Sequence, residues 1–233
     1  MIAQGTTDKP RRRFTRPVPV SVNGVPISAG DIARETQHHA SSDPDEVMPP
    51  KGNRLTAAEI AGQVRLLARA TDLLDKSFNI VLMGMGEPLQ NYDATMKALR
   101  MLNQKEGFDM HPKRVTLSTV GLVPMMDKLA QEKLMPNLAV SLHASNEETR
   151  RTIVPPTKKY PMQDILDACK RFPVSKRRRI MFEYVMLAGV NDSDADARQL
   201  VKVLSGIKAK VNLLPLNAAA GIPFERPSDE RVN

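Results

Sequence analysis

Five places in this sequence carry small or polar side chains at or near the end of an apolar stretch: Gly84-Met85-Gly86-Glu87-Pro88, Ser118-Thr119, Ser141-Leu142-His143, Glu183 and Asn217. Glycines let a ligand approach the backbone and permit positive φ. The Glu87 carboxylate can accept hydrogen bonds from a ligand ammonium, although the same five residues also read as a tight turn with a surface glutamate. Ser118 and Thr119 suit either a ligand carboxylate or the cap of a following helix. His143 suits three roles: general base, ring stacked on a ligand, or satisfied interior histidine. Asn217 can donate to and accept from a ribose or a carboxylate, or simply close a turn. What decides between these readings is whether the fold brings the residues to one place.

The elements that would do so alternate along the chain. Thr56-Ala57-Ala58-Glu59 is a capping box, opening a helix whose Ile60, Val64, Leu67 and Leu74 recur at helical spacing. Phe78 to Met83 is short enough for a buried strand and runs into the glycines. Asp93 is expected to cap a second helix through Met96, Leu99 and Leu102. The pattern then repeats: strand Arg114 to Leu117, helix Val123 to Lys133, strand Asn137 to Leu142, helix Pro161 to Arg171, strand Arg179 to Met186, helix Ser193 to Leu204, strand Lys210 to Pro215. Strands alternating with helices predict an α/β fold, a parallel sheet with helices outside. Right-handed crossovers would curl it into a barrel or part of one, with the ligand at the carboxyl ends of the strands. The polar segments above fall at that end.

Residues 1–50 differ. They hold Arg11-Arg12-Arg13, Pro17-Val18-Pro19 and the polar run Ser41 to Asp45, and only Val18 to Val22 offers a short strand. This low-pattern segment is expected to be disordered or poorly packed, with the folded core over 51–233. The tail from Ala218, with Pro223 and Pro227, is expected to stop without a capped element, so that the chain ends before its fold does.

Apolar residues make up 41% and charged residues 26%, as in ordinary globular domains. No apolar run is long enough to span a membrane and no secretory h-region opens the chain, so a cytoplasmic protein is expected. The one cysteine, Cys169, cannot by itself build a disulfide, a zinc site or an iron–sulfur cluster. The pair His38-His39 lacks ligand spacing, so no metal site is assigned. The net charge is +8, and because the first 48 residues hold six basic and six acidic side chains, all of the excess lies beyond them. A basic excess favours a polyanionic partner, nucleic acid first, or is a generic basic surface. Its densest runs, Lys176-Arg177-Arg178-Arg179 and Lys158-Lys159, are either a solvated face or phosphate contacts. Aromatics at 4% do not support a base-stacking platform.

Six stretches together, Arg54 to Ile60, Met83 to Tyr92, Arg114 to Gly121, Ala139 to Ala144, Phe182 to Leu187 and Val211 to Asn217, resemble one family in order and spacing. It is the family of radical-SAM RNA methyltransferases that methylate adenine C2 in 23S rRNA and some tRNAs, with a sister group acting at C8. The resemblance implies a partial (β/α)6 barrel, incomplete here, and a transferase that uses S-adenosylmethionine (SAM) and a [4Fe–4S] cluster on an RNA substrate. It implies that the GMGEP loop, through Gly86 and Glu87, receives the SAM amino group. By the same resemblance Ser118, Ser141, Leu142, His143 and Asn217 contribute to SAM binding. The chain departs from the family in two places. The CxxxCxxC that holds the cluster is expected just before Leu55, where Pro26 to Lys51 contain no cysteine, and the C-terminal methyl-carrying cysteine has no counterpart. No catalytic residue is therefore assigned, and the chain as written is expected to be inactive. The alternatives are a fragment or frame-shifted product, consistent with the break in character near residue 50, or a non-catalytic RNA- or SAM-binding remnant.

Overall fold

The computed structural model describes residues 20–22, 25–27, 54–83, 86–154, 159–217 and 221–232. Near the N-terminus two short strands, β1 (Val20–Val22) and β2 (Val25–Ile27), pair antiparallel. Part of the strand expected over Val18 to Val22 is thus present, with a partner that the sequence pattern did not suggest. The rest of the expected disordered segment lies outside the described residues.

The Thr56 hydroxyl accepts from the Glu59 amide at 3.2 Å, and a Glu59 carboxylate oxygen accepts from the Thr56 amide at 2.8 Å. This reciprocal cap starts α1 (Ala57–Ala70), which buries Val64 and Ala68 beside α2 (Tyr92–Asn103). Five strands follow in one parallel sheet: β3 (Ile80–Leu82), β4 (Val115–Thr119), β5 (Asn137–Ser141), β6 (Ile180–Met186) and β7 (Ala209–Pro215). Their order in the sheet is their order in the chain. Each crossover carries helix: α2, then α3 (Val123–Leu129), then the pair α4 (Glu147–Ile153) and α5 (Met162–Arg171), then α6 (Asp194–Val203). The α/β class and all five expected strands are present, with ends shifted by one or two residues.

Burial alternates along β6: Ile180, Phe182, Tyr184 and Met186 are buried, while Met181, Glu183 and Val185 are half-buried. A period of two places these sets on opposite faces. The first set joins Leu117, Leu138 and Val140 in a core closed by Met96, Leu99, Met126, Leu129, Ile165 and Leu166 of the helices. The second set faces the open side of the sheet, where Val81 and Leu214 stay exposed.

Four expectations need correction. Asp93 does not cap α2. Turns from the Gln90 and Asn91 amides to the Glu87 and Pro88 carbonyls bring the chain round early, the Asn91 carbonyl accepts from Thr95, and the helix starts before Asp93. Asp93 instead sits in the first turn, where a carboxylate complements the helix dipole, 3.3 Å from Lys128. Helix α3 stops at Leu129 rather than Lys133, because 3₁₀-type turns at Gln131 and Glu132 tighten its end. Helix α4 was not foreseen, although Asn146 caps it by accepting from the Thr149 amide at 2.8 Å and two glutamates follow. The tail does end in a capped element: Ser228 accepts from the Arg231 amide at the start of α7 (Asp229–Val232), and Arg231 reaches the Asp192 carbonyl and the Asp194 carboxylate, both at 2.6 Å. Among the described residues no helix is long and apolar enough to cross a membrane.

The turn after β4 depends on one glycine. Gly121 has φ +108°, and a Cβ there would lie 2.7 Å from Ile165 Cγ1 in the core. Gly121→Ala combines strain with overpacking and is expected to lower unfolding free energy by about 2–4 kcal/mol in urea denaturation. Gly62→Ala, inside α1 with open space around its Cβ position, serves as the contrasting control and should raise stability by about 0.5–1 kcal/mol.

Candidate functional site

The carboxyl ends of β3 to β6 meet around a groove of about 180 Å³ lined by Gly86, Glu87, Ser118, Thr119, Ser141 and Glu183 among others. The sheet register puts Ser141 directly opposite Glu183. Ser118 Oγ lies 3.4 Å from Ser141 Oγ and 3.5 Å from Glu183 Oε2. These are long contacts, so the two hydroxyls remain free to turn toward a ligand. Burial raises the Glu183 carboxyl above the usual range, while the hydroxyls of Ser118 and Ser141 pull it back.

Glu87 is placed differently. One of its oxygens accepts from the Leu89 amide at 2.9 Å, the other from the Val120 amide at 2.8 Å. Burial raises this carboxyl also, against the pull of those backbone bonds and of Thr119. Glu87 therefore straps the loop after β3 to the turn after β4. Its neighbours complete the strap: the Pro88 carbonyl accepts from Thr95, Leu89 is buried, and the Asn91 side chain donates to the Leu55 carbonyl at 2.7 Å. Gly86, at φ +81°, presents bare backbone at the groove.

Of the tripeptide at the end of β5, only Ser141 lines the groove. The Leu142 side chain is fully buried in the core, and the Leu142 and His143 amides both donate to the Glu183 carbonyl at 3.1 Å. His143 adopts φ +60°. Its Nδ1 accepts from the Val185 amide at 3.2 Å, which fixes the tautomer with the proton on Nε2. Burial first, and the nearby Arg150 charge second, push its pKa down to about 4. It stays neutral at pH 7, with Nδ1 already engaged, which fits a satisfied interior histidine that can still donate from Nε2 better than a general base. Asn217, past β7, is exposed and lies outside the lining of this groove.

Two positioning residues were missed in the sequence. Arg150 is fully buried, and its guanidinium donates to the carbonyls of Leu142 (3.1 Å), Val120 (2.6 Å) and Ser141 (3.2 Å). It ties the ends of β4 and β5 together from behind the groove. Burial lowers its pKa to about 10, opposed by Glu147, so it remains charged at neutral pH. No sequence signal marks it, since Arg151 beside it is of the same type and is exposed. Asn191, also buried, donates to the carbonyls of His143 (2.7 Å) and Val185 (2.8 Å) and accepts from the Leu187 amide (2.7 Å). In the sequence it reads as an ordinary turn asparagine.

The model of the radical SAM superfamily matches residues 39–201. The chain belongs to the radical SAM superfamily. Within it the chain is of the RlmN type. It is 47% identical over 180 residues to the dual-specificity RNA methyltransferase RlmN of Syntrophotalea carbinolica, covering 77% of this chain and 47% of that protein. It is 46% identical over 178 residues to the protein of the same name from Syntrophobacter fumaroxidans, covering 76% and 52%. The crystal structure of a radical SAM methyltransferase from Sphaerobacter thermophilus superposes with a TM-score of 0.72 at 47% identity, over 76% of this chain and 52% of that one. The chain spans about half the length of the curated relatives it matches.

Radical SAM proteins as a family imply SAM and a [4Fe–4S] cluster. The donors present here do not fit the cluster. Cys169 lies on α5, 2% exposed, and burial pushes its thiol up to about 12, the reverse of what an iron ligand needs. Among the described residues no group of three or more His, Cys, Asp or Glu could hold a metal.

Two measurements test the site's framework. Arg150→Met strands three buried carbonyls and is expected to cost about 3–5 kcal/mol of stability, with Arg150→Lys recovering only part, because an ammonium lacks the fork that reaches three acceptors. For His143 the folded pKa lies below the unfolded value near 6.5, so its contribution to stability is full above pH 6.5 and is lost as pH falls toward 4. Between pH 7 and pH 5 this amounts to about 2 kcal/mol. His143→Asn, which tolerates the same backbone, should flatten that part of the urea-denaturation pH profile. An unchanged slope would remove His143 as its cause.

Proposed function

We propose that this chain is the SAM-holding core of a radical-SAM RNA adenine methyltransferase, and that its 233 residues do not carry out the transfer by themselves. The observation that supports this reading is the convergence of Gly86, Ser118, Ser141 and Glu183 at the carboxyl ends of β3 to β6, in a chain 47% identical to an RlmN protein over the segment that contains them. A groove of about 180 Å³ is smaller than the roughly 300 Å³ of the smallest whole-ligand pockets, and suits one end of SAM rather than all of it. The methionine end fits its chemistry. The Glu183 carboxylate, the backbone at Gly86 and the lone pairs that Glu87 keeps beyond its two amide bonds take the ammonium. The Ser118 and Ser141 hydroxyls donate to the carboxylate. Leu142 through its backbone, His143 through Nε2–H and Asn217 through its amide are assigned to the adenosine end, beyond the groove.

The RNA side of the proposal rests on the RNA methyltransferases that the chain resembles and on its +8 charge. 23S rRNA or tRNA is the substrate class, and adenine C2 the position. In the family the cluster supplies the electron that starts the reaction, and since the donors here do not fit it, the chain's own residues are credited with binding and orientation alone. A SAM- and RNA-binding piece without chemistry is the form of the proposal that the donor set favours.

Calorimetric titration of the full chain with SAM should give saturable binding. Ser118→Ala with Ser141→Ala should weaken it roughly tenfold to thirtyfold, at about 1 kcal/mol per hydroxyl. Absence of binding in the wild-type chain would overturn the site assignment. Anaerobic treatment with iron and sulfide should yield no stable cluster, and 5′-deoxyadenosine release in that experiment would refute the claim of inactivity.

A further inference from the structure

The amino ends of the same strands carry a second feature that the groove does not use. A cleft of about 750 Å³ opens there, lined by six cations: Lys113 and Arg114 before β4, Arg177, Arg178 and Arg179 before β6, and Lys210 on β7. All six are exposed. No carboxylate lines the cleft, and among the described residues none of the six forms an ion pair. Elsewhere the surface pairs its cations, as in Lys76–Asp72, Lys128–Asp93 and Arg171–Asp127. In the cleft the recorded partners are neutral: Arg178 donates to the Asn137 side chain at 3.2 Å, and Arg114 donates to the Asn79 side chain at 3.4 Å. These bonds orient two guanidinium groups without cancelling their charge.

We infer that this cleft is a binding site for an RNA phosphodiester backbone, at the opposite end of the strands from the SAM groove. The inference rests on the RNA reading above and goes beyond it in placing a contact at the amino ends of the strands, about 13 Å along them from the groove, as from Arg114 to Ser118 and from Arg179 to Glu183. A single small anion is a poor fit. Such sites gather backbone N–H groups at a nest or a helix N-terminus, whereas here the donors are long side chains from three separate strand starts. Those starts span roughly 15 Å across the sheet at about 4.8 Å per strand, several times the 3.4 Å axial spacing of phosphates along one strand. A membrane surface is flat, and this site is concave. The contact carries little sequence preference, because charge alone reads phosphates and no Phe, Tyr or Trp lines the cleft, His111 being its one aromatic ring. It holds the RNA while the strand ends on the far side meet the target base.

The test measures binding of a fluorescein-labelled RNA hairpin to the full chain by anisotropy, over a series of salt concentrations. The Lys113→Glu/Arg177→Glu variant should bind at least about tenfold more weakly at 0.1 M salt, and its slope of log K against log salt should fall by about 0.7–0.9 per lost contact. An equal charge change on the outer faces of α1 and α2, Arg65→Glu/Lys97→Glu, should stay within about twofold. Photocross-links from the hairpin should map to peptides containing residues 111–116 and 176–181 in the wild-type chain, a readout that needs no variant to fold. If the wild-type chain binds RNA but the cleft variant matches it and the cross-links fall elsewhere, the cleft inference is overturned and the RNA reading stands. If the wild-type chain ignores RNA, both fall. Binding of heparin or of phosphatidylserine vesicles through the same residues, without RNA, would reassign the cleft to another polyanion.

Discussion

The site depends on a buried arginine. A parallel sheet leaves its last carbonyls without ladder partners where each chain turns away, and a buried carbonyl without a donor is costly. At the ends of β4 and β5 those carbonyls belong to Val120, Ser141 and Leu142, and all three accept from the Arg150 guanidinium. A hydrophobic side chain in that place would fill the volume and leave the acceptors orphaned. A lysine would satisfy fewer of them, from one point instead of a planar fork. The arginine also fixes how far the two strand ends stand apart. That spacing sets the 3.4 Å separation of the Ser118 and Ser141 hydroxyls on the groove side. The same charge, acting on His143 together with burial, keeps that imidazole neutral.

Two carboxylates at one rim divide the work by how their lone pairs are spent. Glu87 spends an oxygen on each of two backbone amides, and in doing so joins the loop after β3 to the turn after β4. Glu183, on the next rank of the sheet, has only hydroxyl partners at long range. Burial raises both groups, and Glu87 keeps one lone pair per oxygen for a ligand whereas Glu183 keeps nearly all of its acceptor capacity. Both glutamates line the groove, and they differ in how much of each is committed to the backbone. Glu87 sits in the more conspicuous motif, and its conspicuousness reflects backbone architecture: a turn that needs a glycine at positive φ, an anchor at Leu89, and a carboxylate to close the strap.

The alternation of strands and helices was legible because strand-length apolar runs give way to a helical period near 3.6 four times over, with β-branched and apolar runs too short for helices. The capping box at Thr56 forms as written, and Ser193 caps α6 in the same way, a box the sequence pattern did not mark. The site was legible as a set of strand ends, since parallel topology sends every second polar segment to the same rim. What remained hidden was tertiary in origin. Arg150 and Arg151 are adjacent and chemically identical, and only the angle of α4 on the sheet buries one and exposes the other. Asn191 follows a glycine-containing turn, yet its amide is consumed by His143, Val185 and Leu187. Asp93 had the right type for a cap, but the backbone turns at Gln90 and Asn91 had already begun the helix.

The same topology that gathers polar groups at one rim also creates the contrast between the two ends of the sheet. At the carboxyl ends the chain leaves each strand through short polar turns whose backbone groups are tied inward by Glu87, Arg150 and Asn191. The result is a small, pre-formed groove with few free donors. At the amino ends the chain arrives from the helices, and the arriving segments are the basic ones, Lys113-Arg114 and Lys176 to Arg179. Nothing among the described residues ties those side chains to a carboxylate. The positive charge that composition assigned to the core as a whole is therefore polarised along the strand axis, with acidic groups at the groove and cations about 13 Å away along the strands. A uniform basic surface would attract a polyanion to any face. This arrangement draws it to the far end and leaves the groove to a ligand whose ammonium Glu183 can accept.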